Sequence, residues 1–142
     1  KVLDLTKRNT SLEIIGDISA GQARDVVIAW GTGSTCNSNT ITIVRNGQML
    51  GNGVGQKDRC IACQLAVMLA ERSGHDLQDA VAYSDSFFPF NDGPLVLINA
   101  GVKVIFASSG SNNDEALKAL CHERSITLIL MPDKEIRGFF GH

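Results

Sequence analysis

The chain has 142 residues, of which 44% are hydrophobic and 20% are charged, and its formal net charge is −2 at pH 7. This size and composition are typical of one globular domain with its own core. The charge is too close to zero for nucleic-acid binding driven by electrostatics alone. No run of roughly 18 apolar residues could cross a bilayer and no secretory leader is evident, so we expect a cytoplasmic protein. The first residue is Lys1 rather than Met, which suggests a processed or excised product.

A helix is the first element that the sequence predicts with a defined start. Residues 1–18 are predicted to form an arm or linker, in which the apolar run at residues 12–15 suits an edge strand. Ser19 then suits the N-cap of a helix. The apolar residues that follow recur at the i, i+3, i+4, i+7 spacing of a buried helix face: Ala23, Val26, Val27 and Trp30.

A β-hairpin is predicted next. Residues 40–44 are rich in β-branched side chains, the pair Asn46 and Gly47 suits a type I′ turn, and residues 49–54 form the return strand. Glycines are poor strand formers that often mark a close approach of another backbone. The return segment holds three at alternate positions: Gly51, Gly53 and Gly55.

The second half of the chain alternates between helical and strand-like segments. Residues 56–72 form the strongest predicted helix, which Gly74 ends in a C-terminal cap. Its larger apolar residues lie on one side: Ile61, Leu65, Met68 and Leu69. Strands are then predicted at residues 80–83, 102–107 and 126–130, with helices at 93–100 and 113–123. This alternation predicts an α/β domain with a mainly parallel sheet covered by helices.

Three loops are predicted at the carboxyl ends of strands, where ligands bind in such sheets. They comprise residues 55–59, 84–93 and 108–111. The first, a Gly-rich turn opening a helix, suits either an anion site or a tight strand-to-helix turn. The third suits an anion cradle or plain helix capping, and capping is favoured.

The loop of residues 84–93 is the least ordinary segment, because it holds three of the six Phe residues. Phe87, Phe88 and Phe90 suit contact with a flat heterocycle, with Asp85 or Asp92 accepting from the edge of that ring. The alternative is that these aromatic side chains plug the core beneath the loop, and the residues alone favour the plug.

Cys60 and Cys63 have CxxC spacing, but the surroundings favour packing over chemistry. A zinc site would need a second ligand pair and a redox site would need a thioredoxin-like entrance, and the sequence offers neither. We expect reduced thiols at these positions and at Cys36 and Cys121.

Several motifs resemble one enzyme family in the same order along the chain. They are Ser38-Asn39-Thr-Ile41, the Gly-Val-Gly-Gln-Lys-Asp-Arg segment at 53–59, residues 84–92, Ser109-Gly-Ser111, and residues 137–142. Together they resemble the C-terminal half of AICAR transformylase, the formyltransferase part of bifunctional AICAR transformylase/IMP cyclohydrolase proteins. The resemblance covers residues 19–142, which we expect to form the C-terminal repeat of that domain.

The resemblance implies both a fold and an activity. The fold is a three-layer, cytidine-deaminase-like α/β domain with a mainly parallel sheet, an N-terminal hairpin and helices on both faces. The activity is transfer of a formyl group from 10-formyltetrahydrofolate, the co-substrate, to the 5-amino group of AICAR. The implied partner is a second copy in a homodimer, or the missing first half of the domain. No metal is implied, because the zinc-ligand signature of the deaminases is absent.

The resemblance also assigns roles to individual residues. Asn39 is expected beside the reacting amine and formyl groups, and Asp92 at the pterin ring. Guanidinium groups suit phosphate recognition, and Arg137 is the stronger candidate of the two implied nucleotide ligands. The remaining substrate-binding residues implied are Gln56, Arg59, Phe87, Phe90, Phe139 and Phe140.

Departures from the family pattern limit these expectations. The Lys-His pair that handles proton transfer in the family belongs to the first half of its domain and is absent from this sequence. Asn37, Asp58 and Asn91 replace the usual Lys, Ser and Arg. We therefore expect the chain to be inactive alone. The alternatives are a non-catalytic nucleotide- or folate-binding module of the same fold and, more remotely, a zinc deaminase.

Overall fold

The computed structural model describes residues 3, 5 and 12–136. Within them, six strands form one sheet in the order β1-β6-β5-β4-β2-β3. The strands are β1 (Glu13–Ile15), β2 (Ile41–Arg45), β3 (Gln48–Gly53), β4 (Val81–Ser84), β5 (Val104–Ser109) and β6 (Thr127–Pro132). The helices are α1 (Ala20–Gly33), α2 (Arg59–Arg72), α3 (Asp92–Ala100), α4 (Asp114–Glu123) and α5 (Asp133–Ile136).

The sheet is mixed, with most of its strands running in one direction. Strands β4, β5 and β6 pair in parallel, whereas β2 is antiparallel to β4 and β3 is antiparallel to β2. Strand β3 therefore points the same way as the central three, and β1 runs against β6 at the opposite edge. The predicted mainly parallel sheet with a hairpin at its front is confirmed.

Helices cover both faces of the sheet, so the domain has three layers. On one face, α1 packs over Val81, Tyr83 and Phe106. The Trp30 indole and the Tyr83 hydroxyl both donate to the carbonyl of Ile136, at 2.9 and 3.0 Å. On the other face, α2, α3 and α4 enclose a second core with Phe88, Leu97 and Leu117 among its buried side chains.

Helix α1 begins as the sequence predicts and buries Val26 and Trp30 of the predicted face. Ser19 caps it in a capping box with Gln22, which stabilises a helix start. Val27, predicted to be buried, is 40% exposed, so that part of the prediction is wrong. The buried residues include Asp25, which accepts from the backbone N–H groups of Asn46 at 3.0 Å and Gly47 at 2.8 Å. This contact with the hairpin turn, which periodicity does not encode, adds Asp25 to the buried face.

The hairpin confirms the predicted turn and the close approach predicted at Gly51 and Gly53, but not at Gly55, where a Cβ would have nothing within 4 Å. Asn46 and Gly47 both have positive φ, 51° and 77°, as a type I′ turn requires. A Cβ on Gly51 would lie 2.1 Å from the carbonyl oxygen of Ala66, and one on Gly53 would lie 2.2 Å from that of Ala62. The predicted close approach is therefore the contact of β3 with α2.

Helix α2 begins at Arg59 rather than at residue 56, because Asp58 caps it by accepting from the backbone N–H of Ile61 at 2.9 Å. Its buried face consists of Arg59 and small residues, among them Ala62, Ala66 and Ala70. Small side chains fit where the helix lies against the glycines of β3. The larger apolar residues lie on the opposite side, where Ile61, Met68 and Leu69 are 50%, 44% and 36% exposed.

The segment predicted as an arm contributes to the sheet. Strand β1 confirms the edge strand expected at residues 12–15, and Leu3 is buried against the core on the α1 face. The domain boundary after residue 18 stays a prediction. Within residues 12–136, no helix is long and apolar enough to cross a membrane.

Candidate functional site

The predicted ligand loops meet at one edge of the sheet. Strands β3, β4 and β5 end there at Gly53, Ser84 and Ser109, and β2, which runs the other way, begins there at Ile41. This topology places the segment before β2 beside the loops after β3 and β4. The motifs quoted from distant parts of the sequence thus become neighbours.

Asn39 is held in place by the loop that precedes α2. Its backbone N–H donates to the carbonyl of Gln56 at 2.9 Å, and its own carbonyl accepts from the N–H of Gln56 at 3.2 Å. The N–H of Gly55 adds a bond of 3.0 Å to the carbonyl of Asn37. The side chain of Gln56 donates to the carbonyl of Val54 at 3.0 Å. In the described part of the chain, Gln56 therefore holds Asn39 with its backbone groups rather than with its side chain.

Arg59 is the first residue of α2, and its side chain is 8% exposed. Its Nη1 atom donates to the Ser84 hydroxyl at 3.2 Å, to the Thr40 carbonyl at 3.3 Å, and to the carboxylate of Asp85. Its Nη2 atom donates to Oδ1 of Asn39 at 2.8 Å. The guanidinium group thus joins the start of β2 to the end of β4, and much of its donor capacity is used inside the protein.

Asp85 lies at the centre of these contacts and is 0% exposed. Besides Arg59, it accepts from the Ser38 hydroxyl and, at 3.0 Å, from the backbone N–H of Thr40. Burial alone would raise the pKa of this carboxyl, but the bonds from Arg59 and Ser38, the Arg59 charge and the Thr40 N–H lower it below its ordinary value. Asp85 is therefore a buried carboxylate whose charged form is favoured by three hydrogen-bond donors.

A cleft of about 300 Å³ opens beside this network. Seven residues line it: Asn39, Lys57, Asp58, Arg59, Ser86, Phe87 and Pro89. Three predicted site residues, Asn39, Arg59 and Phe87, therefore share one cavity. Lys57 was not singled out from the sequence. Lys57 is exposed and forms no ion pair within residues 12–136.

The aromatic residues of the loop after β4 divide between core and surface. Phe88 is 1% exposed and packs in the core below the loop, so the plug interpretation holds for this residue. Phe87 and Phe90 are 38% and 67% exposed. Side chains this exposed remain available for contact with a ligand.

The remaining predicted site residues are not among those that line the cleft or lie outside the described part of the chain. Asp92 is exposed at the start of α3, and its carboxylate accepts from the N–H of Gly93 at 2.8 Å. Asn91 accepts from the side chain of Asn113 at 2.7 Å and so ties two helix starts together. Three further predicted residues fall outside the described range: Arg137, Phe139 and Phe140.

The turn after β5 uses its polar groups within the protein, although the N-cap residue of α4, Asn113, makes no side-chain cap bond. The Ser111 hydroxyl accepts from the N–H of Asn113 at 3.0 Å, and the N–H of Gly110 donates to Asp114 at 2.8 Å. These bonds order the turn that leads into α4. Nearby, Ser108 donates to Asp133 at 2.8 Å and Ser86 donates to the same carboxylate oxygen at 3.0 Å.

The cysteine pair on α2 supports packing rather than thiol chemistry. Cys63 is buried, and burial raises the pKa of its thiol far above the ordinary value. Burial and the Asp92 charge also raise the pKa of Cys60. All four cysteines are free thiols. Within the described ranges, no group of three or more His, Cys, Asp and Glu residues is placed to hold a metal ion.

Sequence comparison relates the chain to one family. The model of the AICARFT/IMPCHase bienzyme family matches residues 4–69. The chain is 45% identical over 106 residues to the bifunctional purine biosynthesis protein PurH of Mycobacterium ulcerans, a match covering 75% of the chain and 20% of that protein. It is 38% identical over 116 residues to PurH of Acidithiobacillus ferrooxidans, covering 82% of the chain and 22% of that protein. The chain thus spans about a fifth of these relatives' length.

Two solved structures share the fold. One is a diaminohydroxyphosphoribosylaminopyrimidine deaminase/5-amino-6-(5-phosphoribosylamino)uracil reductase from Thermotoga maritima, 17% identical, with a TM-score of 0.51 over 82% of this chain and 37% of that one. The other is RibD from Acinetobacter baumannii, 16% identical, with a TM-score of 0.51 over 82% of this chain and 36% of that one. These neighbours and the three-layer architecture confirm the cytidine-deaminase-like fold.

Proposed function

Because the chain belongs to the AICARFT/IMPCHase bienzyme family, we propose that it takes part in purine biosynthesis as the C-terminal half of a formyltransferase domain. The reaction moves a formyl group from 10-formyltetrahydrofolate to the 5-amino group of AICAR. The observation that carries this proposal is the cleft that brings Asn39, Arg59 and Phe87 together. These residues lie 20 and 28 positions apart in the sequence (59 − 39 and 87 − 59) and belong to three separate family motifs.

The chemistry requires orientation more than a strong catalytic group from this half. The attacking amine is a weak nucleophile, because the neighbouring carboxamide withdraws electron density. A site that holds amine and formyl carbon at reacting distance removes much of the entropic barrier. In this proposal Asn39 hydrogen-bonds at that point, and Phe87 contributes an aromatic face to the aminoimidazole or pterin ring.

Other groups complete the proposed binding of the two substrates. Arg137 is the proposed phosphate ligand, since the charge of Arg59 is already balanced by Asp85. Lys57 adds an exposed cation at the cleft. We place the pterin near Phe90 and Asp92, and the closure of the nucleotide pocket at Phe139 or Phe140.

The half-site character of the chain follows from its missing groups. No Lys-His pair occurs in the sequence, whereas formyl transfer to an amine needs groups that move protons. We propose that those groups come from the preceding half of the domain and that complete sites form in a cytoplasmic homodimer. The proposed reaction uses the folate as co-substrate and no metal.

Calorimetric titration tests the proposal. AICAR, and separately a non-reactive folate analogue, are titrated into the 142-residue chain and into the Arg137→Ala variant. We expect the wild type to bind AICAR and Arg137→Ala to bind it at least about tenfold more weakly, which corresponds to about 1.4 kcal/mol. Arg24→Ala, which removes an exposed arginine on α1, is the matched control and should bind as the wild type does. Equal affinity of wild type and Arg137→Ala would remove Arg137 from the site.

The absence of the Lys-His pair also favours a second candidate, a nucleotide- or folate-binding module without catalysis. The coding sequence upstream of Lys1 separates the two functions. A preceding repeat that carries a Lys-His pair supports the formyltransferase. An unrelated domain or a start codon at that place supports the binding module.

A further inference from the structure

We propose that Asp85 and Arg59 are positioning residues that fix the Asn39 carboxamide with its oxygen toward Arg59 and its NH2 group as the donor to the ligand. The inference rests on the proposed function for the identity of the ligand and on the structure for the arrangement itself. It gives Asn39 a defined polarity, that of a hydrogen-bond donor, and it gives Asp85 a role that the sequence did not reveal.

The polarity of the Asn39 side chain follows from its contact with Arg59. A guanidinium group has only N–H donors, so the carboxamide atom 2.8 Å from Nη2 must be the oxygen. The Nδ2 atom then has no recorded hydrogen-bond partner in the described part of the chain. Because Asn39 lines the cleft, this NH2 group is the part of the side chain left for a ligand atom that accepts.

Asp85 fixes Asn39 from both sides at once. The residue before Asn39, Ser38, donates its hydroxyl to Asp85, and the residue after it, Thr40, donates its backbone N–H at 3.0 Å. Asp85 also binds Nη1 of Arg59, whose Nη2 holds the Asn39 oxygen. One buried carboxylate therefore anchors the backbone around Asn39 and the guanidinium that orients its side chain.

Asp85 acts through Arg59 and Asn39, which line the cleft, because Asp85 itself is out of reach of any ligand. Its side chain is 0% exposed and is absent from the lining of the cleft. An Asn side chain without this arrangement could present either its oxygen or its NH2 group, since the two ends have nearly the same shape. The Arg59–Asp85 pair removes the first option. The cleft is thereby matched to a carbonyl or oxyanion of the ligand, such as the formyl or carboxamide oxygen in the proposed reaction.

Two variants test the arrangement. Asp85→Asn removes the carboxylate that holds Arg59. Arg59→Lys keeps a positive charge for Asp85 but has a single nitrogen, which cannot serve Asp85 and Asn39 in the fork geometry of a guanidinium. The Arg59→Lys variant keeps the test valid if Asp85→Asn fails to fold. The control is Asp25→Asn, which changes another buried carboxylate that accepts two backbone N–H groups far from the cleft.

The decisive readout is the NMR signal of the Asn39 side-chain amide, identified by its loss in Asn39→Ser. We expect the signal to shift toward the position of a solvent-exposed Asn in Asp85→Asn and in Arg59→Lys, and to stay in place in Asp25→Asn. Calorimetry with AICAR as the probe should show at least about a tenfold loss of affinity in the first two variants and none in the control.

The outcomes separate this inference from the proposed function. An Asn39 amide signal that is unchanged in the folded Asp85 or Arg59 variants overturns the inference, whether or not AICAR binds. A shifted signal together with unchanged AICAR affinity also overturns it, because the orientation would then not matter to the ligand. If AICAR does not bind the wild type, the proposed function fails, and the amide signal alone decides whether the arrangement exists.

Discussion

Asp85 should make the stability of the protein depend on pH in the acid range, and the substitution Asp85→Asn should remove its contribution. Its pKa in the folded chain is lowered below the ordinary 3.8, because the bonds and charge from Arg59, with Ser38 and Thr40, outweigh the effect of burial. Arg59 is the ionisable group recorded in contact with it. A lowered folded pKa stabilises the protein above the unfolded pKa, and that stabilisation is lost as pH falls toward the folded pKa. We expect the free energy of unfolding of the wild type to drop below about pH 4 more steeply than that of Asp85→Asn.

Urea unfolding between pH 7 and pH 3 measures this difference. At pH 7 we expect Asp85→Asn to be less stable than the wild type by about 3 to 5 kcal/mol, because the buried Arg59 charge is left without its partner. Parallel pH profiles for the two proteins would show that the pair does not govern acid unfolding.

Truncation of the adjacent residues Phe87 and Phe88 should affect different properties, ligand binding for Phe87 and stability for Phe88. Phe88 is 1% exposed, so Phe88→Ala should lower the free energy of unfolding by about 3 to 5 kcal/mol. Phe87 is 38% exposed at the cleft, so Phe87→Ala should cost about 1 kcal/mol and weaken AICAR binding. Urea unfolding and calorimetry distinguish the two effects. A large stability loss in Phe87→Ala with unchanged AICAR affinity would make Phe87 a core residue.

The sequence predicts three residues that share the cleft, but it does not predict the hydrogen bonds among them and their neighbours. The loops, and with them Asn39, Arg59 and Phe87, could be predicted because strand ends and family motifs are local patterns. Asp85 could not, because its burial depends on the convergence of the segments before β2 and after β4, and alone it resembled a carboxylate at a ligand's edge. The ion pair with Asp85 that balances the Arg59 charge could not be predicted for the same reason.

At the scale of elements, local signals predicted type and order better than orientation. The turn residues Asn46 and Gly47 and the N-cap Ser19 defined the hairpin and the start of α1, since each signal is contained in a few adjacent residues. The face of α2 is decided by what lies beneath it. Against Gly51 and Gly53 only small side chains fit, so the face with the larger apolar residues turns outward.

The contact of β3 with α2 should therefore be intolerant of a single methyl group. A Cβ on Gly51 or Gly53 would meet backbone oxygens of α2 at 2.1 and 2.2 Å, and moving a helix to relieve such overlap costs about 1 to 3 kcal/mol or more. We expect Gly51→Ala and Gly53→Ala to lose at least this much in thermal or urea unfolding. Gly31→Ala is the matched control. Its Cβ would have nothing within 4 Å, and alanine favours the helix interior by about 0.5 to 1 kcal/mol. If the β3 variants are as stable as Gly31→Ala, the close packing is wrong.

At the scale of the whole molecule, we expect the isolated chain to bind AICAR but not to catalyse formyl transfer. It spans about a fifth of the relatives it matches, and it supplies a cleft with an oriented carboxamide but no Lys-His pair. Orientation by one half of a site lowers the barrier only when the other half moves the protons. We therefore expect no measurable formyl transfer by the isolated chain with AICAR and 10-formyltetrahydrofolate. Turnover should appear when the chain is joined to the preceding segment of a PurH relative.

The joined protein carrying Asn39→Ala is the control. It should fold and bind AICAR more weakly, with product formation reduced by at least about tenfold, because it keeps the proton-handling groups but loses the oriented donor. Robust turnover by the isolated chain would mean that residues within it move the protons. Full turnover by the joined Asn39→Ala protein would mean that the donor in the cleft takes no part in the reaction. Either result would contradict the proposal that this chain supplies the oriented donor while the preceding half supplies the proton-handling groups.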